Sequence, residues 1–202
     1  MPLEPAIKYI SDVFKNPQKW VTGQNTNSSN ILITPTKLTN INESVKDKIK
    51  QSIEFFKSKG YSKYVIAGLL GNFKTESEFS NKNISKIASD PENKANNIGI
   101  AQWQGDRFKE LKLKYPTNYN TLQAQLEFVD YELKNKVFTG RDPKLDGKIH
   151  KWVYNNIKDK TDITEITHEI SVYYEGSSFK PEYQKAQQSR INNALEIYNK
   201  FL

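Results

Sequence analysis

The chain has 202 residues, no cysteine and a formal net charge of +7, with a pI near 9.3. That length suits one domain, or one domain with an appendage, and is enough to bury a proper core, while the missing thiols exclude a disulfide scaffold and any thiolate site. The positive balance suits an anionic partner: a nucleic acid, an acidic wall polymer or a membrane surface.

Residues 1–21 carry a short helical pattern in Ile7, Ile10, Val13 and Phe14, interrupted at Pro17. Thr22 to Asn30 reads TGQNTNSSN, which is linker composition. Ile31, Leu32 and Ile33 then run into Thr34-Pro35, and a residue before proline favours an extended backbone. Residues 1–41 are expected to form an arm and residues 42–202 the domain proper. The opening MPLEPAIKYI lacks the unbroken apolar core of a secretory signal, and no run approaches the length of a spanning helix. The expectation is no membrane insertion, with any export left to another agent.

From Asn42 the pattern becomes regular. Val45, Ile49, Ile53 and Phe56 step by four, four and three, which predicts a helix, and Gly60 is its stop signal. Lys46, Lys48, Lys50, Lys57 and Lys59 read as its solvated face. A second helix is predicted from Ser62, a suitable N-cap, to Phe79, with Val65, Ile66, Leu69, Leu70 and Phe73 on one face. At about 100° per residue, Glu76 returns to within roughly 20° of Leu69, two turns further on. An acid there either meets a cationic or hydrogen-bonding partner or is desolvated, which raises its pKa towards what a general acid needs. Glu78 points elsewhere and is expected in solvent. Gly68 and Gly71 each cost about 1 kcal/mol inside a helix, so close approach of another backbone is the expected gain. A helix-turn-helix reader needs a polar second helix; this one is mostly apolar, so no nucleic-acid partner is expected.

Ser80 to Asn97 reads SNKNISKIASDPENKANN, too polar for core and too long for an idle connector. It is expected to form a small hairpin lobe or a site wall. Asp90 and Glu92 are its only carboxylates and become candidates for a second acidic group opposite Glu76, against the plainer reading of a solvated turn. Phe108, Leu111 and Tyr115 suggest a short helix, and Leu122, Leu126, Val129 and Leu133 a longer one capped by Thr121. The segment 139–143 breaks the pattern, and Ile149 to Ile157 resumes it. Thr161-Asp162 starts a stripe through Ile163, Ile166, Ile170 and Tyr173, and a last helix from Glu182 to Phe201 is expected to bury Ala186, Ile191, Leu195 and Tyr198. His150 and His168 lie far apart without a metal-ligand pattern, so no metal is expected. No phosphate-binding loop or Gly-x-Ser-x-Gly elbow is present.

The combination AGLLGNFKTESEF, a polar loop, NIGIAQW (Asn97 to Trp103) and Arg107 resembles the phage tail lysozyme family, a branch of the lysozyme-like group that includes goose-type lysozymes and soluble lytic transglycosylases. QLEFVDYEL (Gln125 to Leu133), YYEG (Tyr173 to Gly176) and a following helix with Arg190, Ala194 and Tyr198 are similar to that family's later landmarks. The resemblance spans roughly residues 45–202.

It implies a mainly α, lysozyme-like helical domain with a small loop or hairpin lobe. It also implies an enzyme, without cofactor, that cuts the β-1,4 bond between N-acetylmuramic acid and N-acetylglucosamine in bacterial peptidoglycan. Glu76 falls on the position of the family's catalytic acid. For a second group Asp90 is the candidate: a water placed by it gives hydrolysis, whereas without one the substrate's own 6-hydroxyl closes an anhydro product. Ser77, Gly99, Gln102, Trp103 and Tyr174 are candidate sugar contacts. Gly99 would admit the glycan to the backbone, Gln102 would bond an acetamido group, and Trp103 would either stack on a pyranose or belong to the core. Arg107 and Glu175 read more safely as structural. The implied setting is a phage virion tail acting on the host wall, with residues 1–41 touching other tail proteins. The alternative is an endolysin held in the host cytoplasm until a holin releases it.

Overall fold

The computed structural model describes residues 43–80, 84, 88–89, 96–135, 149–175 and 184–202, all within the unit Ile41–Leu202. The arm expected over residues 1–41, Asp90, Glu92 and the break at 139–143 lie outside the described residues.

Helix α1 (Glu43–Ser58) buries Ile49, Ile53 and Phe56, three of its four predicted stripe positions, with Val45 packed beside them. Its end is a Schellman turn. Gly60 sits at φ +82°, its N–H donates to the Lys57 carbonyl at 3.0 Å, and the Tyr61 N–H donates to the Phe56 carbonyl at 3.1 Å. The rings of Phe56 and Tyr61, 5.2 Å apart, supply the apolar contact that accompanies this motif.

Helix α2 (Lys63–Ser77) follows at once, with the Ser62 hydroxyl accepting from the Val65 N–H. It is the central element: every residue from Val65 to Phe73 is buried, so the apolar face expected on one side extends around the helix. Gly68 and Gly71 explain how. A Cβ on Gly68 would stand 2.7 Å from Ile166 Cγ2, and one on Gly71 would stand 2.6 Å from Ala194 Cβ and 2.7 Å from both the Ala194 N and the Arg190 carbonyl oxygen. The gain for two helix-interior glycines is close helix packing. α2 ends at Ser77, two residues earlier than predicted, because Glu78 and Phe79 take the left-handed conformation at φ 54° and 51°. Glu78 is exposed, as expected.

A two-residue antiparallel pair, β1 (Ala88–Ser89) with β2 (Asn96–Asn97), is the small hairpin element among the described residues. Ile98 and Trp103 then pair across a tight loop, with the Trp103 N–H donating to the Ile98 carbonyl at 2.9 Å. Helices α3 (Gly105–Lys114), α4 (Leu122–Asn135) and α5 (Ile149–Ile157) follow. In α4 the predicted Leu122, Leu126, Val129 and Leu133 are all buried, and the Thr121 hydroxyl accepts from the Ala124 N–H. Gln125, also buried, clasps the loop: its Oε1 accepts from the Ile100 N–H at 3.1 Å and its Nε2 donates to the Ile84 carbonyl at 2.9 Å.

Helix α6 (Ile163–Glu169) starts at Asp162, whose carboxylate accepts from the Thr164 and Glu165 N–H groups. It passes into a π turn over Ile170–Tyr174, closed by the Glu175 N–H on the Ile170 carbonyl. Such widened turns often mark functional positions.

Helix α7 (Gln184–Phe201) corrects the predicted face. Gln187, Arg190, Ala194 and Ile197 are buried, whereas Ala186, Ile191 and Tyr198 are only partly covered and Leu195 is exposed. The physical reason is the partner surface. Against Gly71 only a small residue fits, and one turn earlier the buried position faces a carboxylate and is taken by Arg190. An interior stripe made of Gln, Arg and Ala leaves the apolar periodicity on the wrong side. Gly71→Ala is expected to destabilise the domain by about 1–3 kcal/mol, because the methyl group meets backbone atoms of α7 that cannot turn aside. Urea unfolding of the variant measures this directly.

Candidate active site

Two groups of charged side chains occupy the interior where α2, α3, α4, the π turn and α7 meet. The first centres on Glu132 of α4, whose side chain is fully buried. Arg107 donates to it through Nε and Nη2, both at 2.8 Å. The Trp103 indole N–H donates at 3.0 Å and the Tyr174 hydroxyl at 2.7 Å. Arg107 also donates to the Tyr174 carbonyl at 3.1 Å and lies 4.7 Å from the centroid of that ring. A carboxylate with four donors, two of them a bidentate guanidinium, is satisfied and held.

The second group centres on Glu76, in the last turn of α2. Arg190 Nη2 donates to its Oε1. The close approach of α7 at Gly71 brings that guanidinium down onto the carboxylate. The Arg190 side chain is 8% exposed and that of Glu76 23%, so this carboxylate is anchored from within and open to solvent on its other side. Asn72, one turn before Glu76, is buried and donates to the Gly68 and Thr167 carbonyls. Of the two environments open to an acid on this stripe, the structure supplies the cationic partner, and its identity is Arg190.

Glu175, just after the π turn, connects the two groups by charge. Burial pushes its carboxyl well above the usual carboxylate range, and the Glu76 charge pushes it further. Arg107 and Arg190 oppose the shift and Glu132 adds to it. Its Oε1 is buried and has no hydrogen-bond partner among the described residues, and the same holds for Arg190 Nε.

Several expected sugar contacts are buried and bonded within the fold. Ser77 is fully buried, and its hydroxyl donates to the Phe73 carbonyl at 2.8 Å and accepts from the Phe79 N–H at 3.3 Å. Gly99 is buried at φ +87° with the Trp103 ring packed over it: a Cβ there would lie 2.6 Å from Trp103 Cζ3. Its missing side chain makes room for the indole. Trp103 and Tyr174 are each only 1% exposed, because their polar atoms are spent on Glu132. Gln102 is partly exposed, and its Nε2 donates to the Gly99 carbonyl at 2.8 Å. Asp90 lies outside the described residues.

Sequence reasoning singled out neither Glu132 nor Arg190 as part of the site. A signal for Glu132 was present: it lies seven residues after Gln125 and three after Val129, on the buried stripe of α4, the same placement that drew attention to Glu76. No signal in a single sequence pairs Arg190 with Glu76, which are 114 positions apart. Among the described residues no group of three or more His, Cys, Asp or Glu side chains is arranged to hold a metal ion, and no helix is long and apolar enough to cross a membrane.

The central helix thus ends in a glutamate that is anchored by Arg190 and reaches solvent, and the comparisons bear on the same stretch. No curated protein and no solved structure matches the chain. The family model described as phage tail lysozyme matches residues 47–201, which includes both carboxylate groups and every described helix except the first turn of α1. By that match the chain belongs to the phage tail lysozyme family, and is a lysozyme-type, peptidoglycan-acting phage protein.

Proposed function

We propose that this chain cleaves the β-1,4 bond between N-acetylmuramic acid and N-acetylglucosamine, with Glu76 delivering the proton to the glycosidic oxygen. The observation that carries this reading is the contrast between two interior acids. Glu132 is fully buried and saturated with donors, whereas Glu76 keeps 23% of its side chain in solvent while Arg190 fixes its position. Of the two, Glu76 is the one a glycan can reach.

Protonation of the leaving oxygen breaks the anomeric C–O bond as positive charge builds on the sugar ring. The carboxylate left behind faces Arg190, which holds it in place through the charge change. A water, or the 6-hydroxyl of the substrate, then adds to the anomeric carbon. The enzyme's place is a phage tail that opens the host wall locally during entry, with residues 1–41 as the tether to other tail proteins. Detection of the chain in purified virions supports that placement, and its absence from them favours a holin-released endolysin.

Mass spectrometry of fragments released from purified peptidoglycan identifies the bond. Reducing-end muramic acid is the expected product. Reducing-end glucosamine would redirect the assignment to a glucosaminidase, and anhydro-muramic ends to a lytic transglycosylase. Release of nothing from several wall types would leave a silent glycan-binding module.

A further inference from the structure

The chain leaves α2 by a route that most side chains avoid. Glu78 and Phe79 follow the helix at φ 54° and 51°, two consecutive residues in the left-handed region, where a Cβ crowds the backbone. This turn begins two residues after Glu76, and the Glu78 N–H closes the last helical turn on the Lys74 carbonyl at 2.9 Å. Such a conformation persists only where its surroundings over-determine it.

The surroundings do so from several sides. The Phe79 ring is fully buried. The Phe79 N–H donates to Ser77 Oγ at 3.3 Å, and the Ser77 hydroxyl donates back up the helix to the Phe73 carbonyl at 2.8 Å. The Ser80 N–H donates to the Ser77 carbonyl at 3.0 Å. From α1, 31 positions earlier, Lys48 Nζ donates to the Phe79 carbonyl at 2.8 Å. The sequence pattern puts Lys48 on a solvated face, but in the structure it is half-buried, and burial lowers its pKa below the ordinary lysine value. Desolvating an ammonium is unfavourable, and a charge-assisted bond to one carbonyl of the strained turn offsets it.

The fastening matters because of what it adjoins. Helix ends open first, since their last carbonyls have no partner within the helix. Fraying of the last turn of α2 would swing the Glu76 backbone and lift its carboxylate off Arg190, whose side chain is held in the interior at 8% exposure.

We propose that Lys48 is a positioning residue for the cleavage reaction: through the Phe79 carbonyl it holds the left-handed turn that fixes the last turn of α2, and so the direction of the Glu76 carboxyl. The inference rests on the assignment of Glu76 as proton donor. The role is indirect, reaching the chemistry through the backbone of residues 76–79.

The test compares wild type, Lys48→Met, Lys48→Arg, and Lys48→Met combined with Glu78→Gly, each as the full chain on purified peptidoglycan. Lys48→Met keeps an apolar stem and removes the donor. It is expected to lower kcat on the order of 10-fold with KM and wall cosedimentation unchanged, because a misdirected acid weakens the chemical step and leaves glycan binding alone. Lys48→Arg keeps a cationic donor and is expected to retain most of the rate. Adding Glu78→Gly to Lys48→Met is expected to recover most of the loss. Glu78 is exposed, and glycine adopts φ 54° without the Cβ penalty, so the turn no longer needs the lysine. Amide hydrogen exchange supplies the local reading. Exchange at Glu78 and Ser80, whose N–H groups close the turn, is expected to quicken in Lys48→Met more than exchange in α4, and to slow again in the combined variant.

A wild-type kcat in Lys48→Met would overturn the inference and leave Glu76 in place. A rate loss that Glu78→Gly does not recover, or one without faster exchange at Glu78 and Ser80, would overturn it as well, since either means that Lys48 acts elsewhere. A wild-type rate in Glu76→Gln, run alongside, would remove the proton donor itself and this inference with it.

Discussion

Glu132→Ala is expected to lower unfolding free energy by about 3–5 kcal/mol, which for a domain of this size is a fall in Tm of roughly 10 °C. The reason is what it leaves behind. Arg107 is 12% exposed and donates twice to Glu132, so the substitution strands a buried guanidinium by removing both of these charge-assisted bonds at once. The Trp103 indole N–H and the Tyr174 hydroxyl lose their acceptor at the same time, each an added desolvation penalty. These losses share one acceptor and do not simply add. The double variant Arg107→Leu with Glu132→Leu is expected to recover a good part of the loss, since replacing both partners removes the stranded charge instead of exposing it. Calorimetric unfolding of the three proteins checks the pattern. A single-variant loss below about 1 kcal/mol would mean that the hub is solvated and contributes as little as a surface pair.

The same hub places the candidate site. Tyr174 is fixed by its hydroxyl and its carbonyl, and Glu175 is the next residue in the chain. Trp103 is fixed by its indole, and the Gly99 loop packs beneath the ring. Trp103 and Tyr174 thus hold the loop and the π turn in register.

How much of this was readable in one sequence depended on whether the information was local. The α1 stripe, the Ser62 cap, the Gly60 stop and the α4 stripe are set by neighbours within a few positions, and each was found where expected. Gly68 and Gly71 also announced their role, because a glycine inside a helix signals close approach even when the approaching partner is unknown. The face of α7 was misread because its interior is lined by Gln187, Arg190 and Ala194, residues chosen for what lies opposite them on α2. Helical periodicity put Glu76 in line with the buried stripe and left open a cationic partner or desolvation; the structure has the guanidinium of Arg190. Applied evenly, it would also have picked out Glu132, which is more deeply buried and structural. A misplaced acid on a helix marks a partner of opposite charge; whether it also marks chemistry depends on access, which is a tertiary property. Trp103 and Tyr174 illustrate the converse, since an exposed aromatic and a buried one with a satisfied polar tip look alike in sequence.

Glu76→Gln is expected to lower kcat for glycan cleavage by about 10²–10⁴-fold with wall binding unchanged. Glutamine keeps the volume and one acceptor for Arg190, so the helix end and the α2–α7 packing persist. What disappears is the transferable proton. The loss falls on the chemical step, so kcat and kcat/KM are expected to drop together, the mark of an interaction used in the transition state. A rise in KM with kcat intact would instead assign Glu76 to ground-state binding.

The most direct test of Glu76 as the proton donor is the rate of soluble saccharide release from purified peptidoglycan, at matched bound protein, for wild type and Glu76→Gln. Steady release by wild type with release by the variant reduced by at least about 10²-fold is the predicted result. Equal release by the two proteins would contradict the account, and would move the search for the acid to Glu175 or Asp90.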